Sequence, residues 1–382
     1  MRRTLFEPDH ESFRELVRQV IEREVLPSYE DWRAAGLVPR DLFRTLGRVG
    51  IMGFAIPEEF GGGGHDDYRY NVVLQEEAAR AVVTLGGLRT HLDIVLPYFL
   101  AFADDEQRRR WLPGLASGEL YSAIAMSEPG VGSDLAGIAT TATRDGDAYI
   151  VDGAKTFITG GANADLVIVV ARTGRDEADR RAGLSLLVVE RDMPGFTVGR
   201  RLDKIGLHAQ DTVELSFSGV RVPVANRLGE AGAAFRYLTH NLAQERLAIA
   251  VGAVAQSRTA HEHTLRYVRQ RQVFGQPLAR FQNTKFELAG MAAELEAAES
   301  LLDRAVAAHV AGELTPADAA KTKLFCTETQ GRVVDRCLQL HGGYGYIDEF
   351  PIARMYADAR VTRIYGGTSE VLKTIISKSL GL

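Results

Sequence analysis

The spacing of apolar residues along this chain changes twice, and those two changes constrain its fold more than any other feature. Residues 1–119 carry apolar side chains at steps of three and four, as in Phe13, Leu16 and Val20, which is the period of an amphipathic helix. From Tyr121 to about Leu228 the pattern is that of β-strands, and helical spacing returns after that. Since no helical pattern alternates with the strands, a βαβ fold is not expected.

We therefore predict an α+β fold in three parts. These are an N-terminal all-α domain over 1–119, a central antiparallel β-domain over 120–230 and a C-terminal four-helix bundle over 231–382. A chain of 382 residues with 46% apolar residues is long enough for several such cores. Within the β-domain, RDGD at 144–147 and VDGA at 151–154 each place Asp-Gly between β-rich runs, which predicts two hairpin turns.

Capping residues and prolines give limits for individual helices. Asp9 is the predicted N-cap of the first helix, and Pro27 ends its pattern. Pro113 is expected to close the fourth helix, and Thr315 to cap a helix that begins at Pro316. The other predicted helices span 42–49, 70–83, 92–112, 284–310 and 369–380, and HGGYGY at 341–346 is expected to interrupt the bundle.

Charge and cysteine content narrow the classes of function. The net charge is −5 with no block of basic residues, so we expect no nucleic-acid partner. Nothing suggests that Cys326 and Cys337 pair, which favours a reducing, cytoplasmic location. The N-terminal segment lacks the apolar core of a secretory signal, and no run approaches the ~18 apolar residues of a membrane span.

One carboxylate stands on an apolar stripe where the C-terminal part begins. Five residues recur at helical steps, and they are Phe235, Leu238, Leu242, Ile249 and Gly252. The step of seven between Leu242 and Ile249 leaves one helical position, which Glu245 occupies. An unpaired carboxylate is costly to bury. Either the stripe meets a polar cavity here, or Glu245 lies on the solvated face with Arg246.

Other motifs that carry chemistry are few. There is no P-loop and no G-x-G-x-x-G in a βαβ setting, so a Rossmann nucleotide site is not expected. His261 and His263 point to different faces of a helix and are poor co-ligands, so we predict no metal site. Two glycine-rich segments remain, SEPGVGSDL at 127–135 and IYGGTSE at 364–370. The second places free N–H groups at a helix N-terminus, where they could hold an anion or a carbonyl oxygen.

Six segments, in order, resemble the flavin-dependent acyl-CoA dehydrogenase family. They are AIPEEFGG, AMSEPGVGSD, KTFITGGANAD, RQVFGQPL with Phe281 and Gln282, QLHGGYGY, and DARVTRIYGGTSEV, and together they cover essentially the whole chain. The resemblance implies the same three-domain architecture, FAD as cofactor and a homotetramer built as a dimer of dimers. It also implies an acyl-CoA thioester as substrate, with an electron-transfer flavoprotein or another acceptor such as O₂ for reoxidation.

Matching the motifs residue by residue implies roles for the individual positions. Contacts to the flavin or its ribityl chain are implied for Met126, Ser127, Ser133, Phe157 and Thr159, and contacts near the final helix for Thr368 and Glu370. The ADP half, across a subunit interface, is implied to lie against Arg271, Phe274, Gln282, Gln339 and Gly343. Positioning of the thioester and CoA is implied for Ser133, Arg246 and Gly367.

The chain departs from the family pattern at one position. Most of the family carries its catalytic Glu in IYEGT, whereas the matching residue here is Gly366. A minority, including the long-chain and isovaleryl-CoA types, places this Glu on the helix that opens the C-terminal domain, and LAQERL at 242–247 resembles the long-chain type. The resemblance thus implies Glu245 as the base that removes the α proton, with the N–H of Gly366 holding the thioester carbonyl. A carboxylate buried there should have a raised pKa.

Three alternatives keep the fold and change the function. They are a dehydrogenase of carrier-protein thioesters, a flavin monooxygenase or nitroalkane oxidase, and a binding protein that has lost turnover. Glu245 together with SEPGVGSD favours a dehydrogenase, and a purified protein that stays colourless after FAD reconstitution would favour the binding protein. The acyl chain length depends on a cavity between the N-terminal helices and the Glu245 helix, which residues 92–102 are expected to line in part.

Overall fold

The computed structural model describes residues 3–174 and 178–382 and confirms the three-part α+β architecture. Helices α1–α6 precede the sheet and span Pro8–Val20, Tyr29–Ala35, Arg40–Arg48, Arg69–Arg80, Leu96–Phe102 and Asp105–Ser117. The predicted helix over 92–112 is divided between α5 and α6. The limits 1–119, 120–230 and 231–382 remain our own division of the chain into domains.

The first helix begins earlier than its sequence suggests. Its N-cap is Glu7, whose backbone N–H donates to Nδ1 of His10 at 3.2 Å. Pro8 takes the first helical position, where the missing N–H would have no partner inside the helix. The prediction of Asp9 as N-cap is therefore wrong. Asp9 lies in the first turn, where its charge complements the positive end of the helix.

α6 continues for a further turn beyond Pro113, so the prediction that this proline closes the helix is wrong. Its N-terminus is strongly capped. The Asp104 carboxylate accepts from the Gln107 N–H at 2.9 Å, and the Gln107 side chain accepts from the Asp104 N–H at 3.1 Å. Pro113 removes one helical hydrogen bond. Burial of Leu112 and Leu115 on either side of it offsets that loss.

The central sheet contains strands β1–β8, which span Ser122–Ala125, Thr141–Asp145, Ala148–Thr159, Leu166–Arg172, Leu184–Glu190, Phe196–Arg201, Thr212–Pro223 and Arg227–Leu228. Their order in the sheet is β6–β7–β3–β2–β4–β5–β8, with β1 paired to β4. The antiparallel character predicted for this domain holds for most of the described pairs. β1 is added parallel to β4, and one parallel bridge joins β2 to β4.

One of the two Asp-Gly segments is not a turn. RDGD joins β2 to β3, with Gly146 at a φ of +58°, as predicted. VDGA lies inside β3, where the register against β7 shifts between Val151 and Gly153, so the prediction of a turn there is wrong. A Cβ on Gly153 would come within 2.5 Å of Thr140 Oγ1. This glycine therefore lies at a β-bulge, where the backbone of β3 comes close to Thr140 just before β2.

The C-terminal helices pack around the 37-residue α7. Helices α7–α11 span Ala234–Gln270, Gln282–Val310, Pro316–His341, Pro351–Ala359 and Ser369–Ser379, and a short hairpin of β9 (Gln272–Val273) and β10 (Gln276–Pro277) joins α7 to α8. Thr315 caps α9 as predicted, because its hydroxyl accepts from the Asp318 N–H at 3.1 Å. HGGYGY forms a 3₁₀ turn where α9 ends. In the described ranges, no helix is both long and apolar enough to cross a bilayer.

The N-terminal and C-terminal helices share a hydrophobic core. Val72 of α4 is buried in one cluster with Leu247, Ala250 and Val251 of α7. Packing of α4 on α7 therefore fixes the part of α7 that follows Glu245 against the N-terminal helices. This junction is where the site is built.

Candidate active site

Glu245 lies on the buried face of α7. Leu238 and Ile249 of the same stripe are 1% and 2% exposed, and Glu245 is 8% exposed. Of the two interpretations that the sequence left open, the structure supports the buried one. Burial raises the pKa of the Glu245 carboxyl. Three nearby cations oppose that rise, and they are Arg246, Lys323 and Arg89.

Gly366 lies directly beside the Glu245 carboxylate, so the structure brings these two predicted residues together. Its φ of +62° is in the left-handed region, where a residue with a side chain is strained. A Cβ on Gly366 would lie 3.4 Å from Glu245 Oε1 and would overlap Cδ1 of Ile249. The glycine thus leaves room for the carboxylate and for Ile249 in the same small volume.

Lys323 on α9 belongs to this site, and the sequence analysis missed it. It is fully buried, and its Nζ donates to the carbonyl of Gly367 at 2.6 Å. Burial lowers its pKa to about 8, although Glu245 nearby favours the charged form. The signal was present, because Lys323 lies at helical steps from buried Ala320 and Thr327, just as Glu245 stands on an apolar stripe.

Arg246 and Gly367 meet at the edge of the same space. Arg246 is 6% exposed, and its Nε has no hydrogen-bond partner in the described part of the chain. Its Nη2 is 4.0 Å from the place that a Cβ on Gly367 would occupy. Thr368 caps α11, with its hydroxyl accepting from the Val371 N–H at 3.3 Å. The backbone of α11 therefore begins next to Arg246, and Glu370 lies exposed in its first turn.

The predicted flavin residues of the β-domain lie around the end of β1 and along β3. Lys155 Nζ donates to the carbonyl of Met126 at 3.0 Å and to the Glu128 carboxylate at 2.9 Å, which anchors the loop after β1. Phe157 on β3 is 68% exposed at a φ of +60°. The remaining members of this group are Ser127, whose carbonyl accepts from the Thr156 N–H, exposed Ser133, and Thr159 at the end of β3.

The residues matched to the ADP half lie far from Glu245 within one chain. Arg271 is 26 residues further along the chain from Glu245, at the end of α7, which is roughly 39 Å at the helical rise of 1.5 Å per residue. Phe274 is 96% exposed. The other members are exposed as well, and they are Gln282 at the start of α8, Gln339 near the end of α9, and Gly343.

A cavity that is partly open to solvent lies beside this site at the junction of the helical parts, and its empty space, open solvent included, is about 950 Å³. Its wall includes the segment from Leu74 to Asp93 in part, and also Leu207, Gln210, Ile249, Gly252, Gln256, Gln330 and Tyr365. On α7 the cavity wall begins at Ile249, one helical turn after Glu245.

The wall of this cavity is partly polar. The segment 92–102 was expected to line it in part, and Asp93 of that segment does so. The Asp93 carboxylate accepts from the side-chain amides of Asn71 and Gln75, and burial raises its pKa to about 7. Arg89 also lines the cavity, and its Nη2 donates to the Tyr365 hydroxyl at 3.0 Å. No sequence pattern pointed to these groups, since only the tertiary fold brings them together.

Three family models match this chain in order. They are described as the acyl-CoA dehydrogenase N-terminal domain, over residues 7–119, the middle domain, over 123–220, and the C-terminal domain, over 232–381. Together they account for most of the sequence.

Individual proteins match over nearly the full length. The long-chain specific acyl-CoA dehydrogenase of Sus scrofa mitochondria is 43% identical over 378 residues, which is 99% of this chain and 88% of that protein. The crystal structure of an acyl-CoA dehydrogenase from Geobacillus kaustophilus superposes with a TM-score of 0.97 at 45% identity, covering 99% of both chains. A glutaryl-CoA dehydrogenase from Mycobacterium smegmatis, in complex with FADH2, superposes with a TM-score of 0.88 at 28% identity over 98% of this chain and 95% of that one.

Proposed function

Because the chain belongs to the acyl-CoA dehydrogenase family, we propose that Glu245 is the base in its FAD-dependent dehydrogenation of an acyl-CoA thioester. Family membership establishes an oxidoreductase that uses FAD and acts on acyl-CoA, and it does not favour the monooxygenase, nitroalkane oxidase or carrier-protein alternatives. The observation that carries the proposal is the burial of Glu245 beside Gly366, which has no side chain to act as a base.

Removal of the α proton needs a base and a stabilised carbonyl oxygen. The α C–H of a thioester becomes removable when fixed donors hold the oxygen on which charge develops. We assign the N–H of Gly366 as one such donor, and the Lys323 contact to the Gly367 carbonyl keeps this backbone in place. Glu245 accepts the α proton, and its raised pKa makes it a better general base than an exposed Glu. Bound FAD supplies the acceptor for the β hydrogen, and the product is the trans-2-enoyl-CoA.

Two features support the binding of a flavin. Phe157 presents an uncovered aromatic face from β3, in a backbone conformation that packing must maintain. The N-terminus of α11 offers N–H groups and a positive helix end to an anionic or carbonyl group. On this support we propose that the flavin and its ribityl chain bind to Met126, Ser127, Ser133, Phe157, Thr159, Thr368 and Glu370.

The thioester and CoA would enter past the start of α11. Arg246 is buried there with an unpaired Nε, which suits a carbonyl or phosphate oxygen. Arg246, Ser133 and Gly367 are therefore proposed as substrate-binding residues. The proposed contacts to the ADP half, Arg271, Phe274, Gln282, Gln339 and Gly343, lie at the far end of the bundle. That separation supports binding of this half by a partner subunit in a homotetramer.

The proposed function also includes an electron acceptor and a cellular location. We propose an electron-transfer flavoprotein as acceptor, as is usual for this family. Cys326 and Cys337 are both free and buried. Free thiols are compatible with the reducing cytoplasm that we propose as its location.

Glu245→Gln is expected to abolish bleaching of the bound flavin by acyl-CoA under anaerobic conditions. The amide matches the carboxylate in shape but cannot accept the α proton. FAD content should therefore stay at the wild-type ratio while the absorbance loss disappears in a stopped-flow experiment over a panel of chain lengths. Glu313→Gln, at an exposed position, serves as the matched control. Bleaching at the wild-type rate in Glu245→Gln would contradict the assignment.

A further inference from the structure

Two buried polar atoms beside the cavity have no hydrogen-bond partner in the described part of the chain. They are Nη1 of Arg89 and Oε1 of Gln75, and both side chains line the cavity. Each side chain is nevertheless fixed by another contact. Arg89 Nη2 donates to the Tyr365 hydroxyl at 3.0 Å, and Gln75 Nε2 donates to Asp93 at 2.7 Å. One donor and one acceptor are therefore held in place and left unpaired.

The charge of Arg89 has no carboxylate in contact with it among the described residues. Its hydrogen bond goes to the Tyr365 hydroxyl, and the Asp93 carboxylate accepts from Asn71 and Gln75 instead. Asp93 and Asp358 both line the cavity, and Asp358 likewise has another partner, since its carboxylate accepts from the Leu207 N–H. Nη1 of Arg89, unpartnered among the described residues, is therefore left to an electron-rich ligand atom.

A plain alkyl chain does not match this wall. It would fill the cavity, exclude water and leave the Arg89 guanidinium without a partner for its remaining N–H groups. Sites that present a polar group to a substrate discriminate strongly against analogues that lack the matching group, because the polar group of the site is then buried unpaired. Leu74, Leu88 and Ile249 supply apolar wall for the methylene part of a chain.

We propose that Arg89 binds an oxygen function carried on the distal part of the acyl group, so that the preferred substrates are acyl-CoA thioesters oxidised at that end. This rests on the proposed function, because the thioester end of the same acyl group must meet Glu245. Ile249 and Gly252 follow Glu245 by four and seven residues, so the wall extends roughly 6 to 10 Å further along α7. The methylenes pass Ile249, and the distal oxygen accepts from Nη1 of Arg89.

A carboxylate and a hydroxyl can both accept a hydrogen bond from Arg89, and the side chain of Gln75 can distinguish between them. A carboxylate forms an ion pair with Arg89, but it has no hydrogen to donate to the side-chain carbonyl of Gln75. A hydroxyl accepts from Arg89 and can donate to Gln75 Oε1, which lies 3.2 Å from the position of a Cβ on Gly252. Gln75→Leu is therefore expected to lower activity on a hydroxylated chain and to spare a carboxylated one.

The test compares kcat/KM of the holoenzyme for octanoyl-CoA, suberyl-CoA and ω-hydroxyoctanoyl-CoA, and for hexanoyl-CoA against adipyl-CoA. We expect at least one oxygenated thioester to exceed its methyl-ended partner by about tenfold or more. Arg89→Met should remove that preference, largely through KM, and Arg89→Lys should retain part of it. Arg80→Met, on the same side of the molecule but outside the cavity wall, should leave the ratio unchanged. Using a ratio cancels general effects on folding or on Glu245.

The outcomes separate the two levels of the proposal. Wild-type enzyme that prefers the methyl-ended thioesters overturns the role of Arg89, as does an unchanged ratio in Arg89→Met. If Arg89→Met does not retain FAD, the wild-type ratio and Arg89→Lys still decide the question. Enzyme that is not bleached by any of these thioesters, nor by other acyl-CoA esters, overturns the proposed function itself.

Discussion

At the scale of single residues, the pH dependence of flavin reduction reports the two titratable groups buried around the thioester site. Glu245 acts only when deprotonated, and its pKa is raised, so the rate should fall with decreasing pH at values above those usual for a Glu. Lys323 stabilises the carboxylate while it is charged, and its pKa is about 8. Lys323→Met should therefore raise the pKa of Glu245 and shift the acidic limb of the pH–rate profile to higher pH. It should also remove any change in rate near pH 8.

Stopped-flow bleaching across the pH range measures both limbs. Lys321→Met, an exposed lysine of the same helix, is the matched control and should keep the wild-type profile. An acidic limb that does not move in Lys323→Met would contradict the electrostatic coupling of this lysine to Glu245.

Gly366 and Ile249 explain, at the same scale, why we propose a base on α7 and not at position 366. A side chain at 366 would overlap Ile249 and would need a left-handed backbone. The two positions compete for one volume, so a Glu at 366 requires a smaller residue at 249. The usual family arrangement and the one found here are thus alternative packings of a single cavity.

At the scale of elements, the sequence predicted the type of each segment better than its limits. The helices and strands predicted from the spacing of apolar residues are found in the structure, because burial of one face of an element requires that spacing. The wrong limits are those decided by a single residue, such as Asp9 and Pro113. Packing of neighbouring buried residues overrode the local preference at Pro113, and an adjacent cap displaced Asp9.

At Gly153 the tertiary structure also overrides a local sequence preference, because the Asp-Gly pair lies inside a strand and not in a turn. Gly153→Ala should destabilise the fold by roughly 1–3 kcal/mol, since the added Cβ would press on Thr140 in a strained backbone. Gly146→Ala, in the true hairpin turn, meets nothing within 4 Å and should lose only about 1 kcal/mol from its positive φ. Urea unfolding of the two variants compares them. Equal losses would show that position 153 behaves as an ordinary turn.

At the scale of the whole molecule, the site is assembled from parts that no short sequence window contains. Arg89 comes from the segment before α5, Glu245 from α7, Lys323 from α9 and Gly366 from the loop before α11. Glu245 could be proposed from the sequence because it interrupts an apolar stripe of its own helix and because the family resemblance, with Gly366 at the usual position of the Glu, implies it as the base. Arg89 does not interrupt an apolar pattern in the sequence. Its proposed role depends on its contact with Tyr365 and on the cavity that it lines, and both are set by the tertiary fold.

The exposed end of the bundle carries the last prediction, which concerns assembly. Phe274 is 96% exposed at a φ of +48°, an arrangement that a single chain has no reason to stabilise. If the homotetramer forms through this end, Phe274→Asp places a charge in the interface and should shift the protein towards smaller species and lower FAD content together. Size-exclusion chromatography with light scattering and the flavin-to-protein absorbance ratio measure the two effects. Leu26→Asp, at an exposed apolar residue among the N-terminal helices, should change neither. A tetramer of wild-type stability and full FAD content in Phe274→Asp would place the ADP half elsewhere.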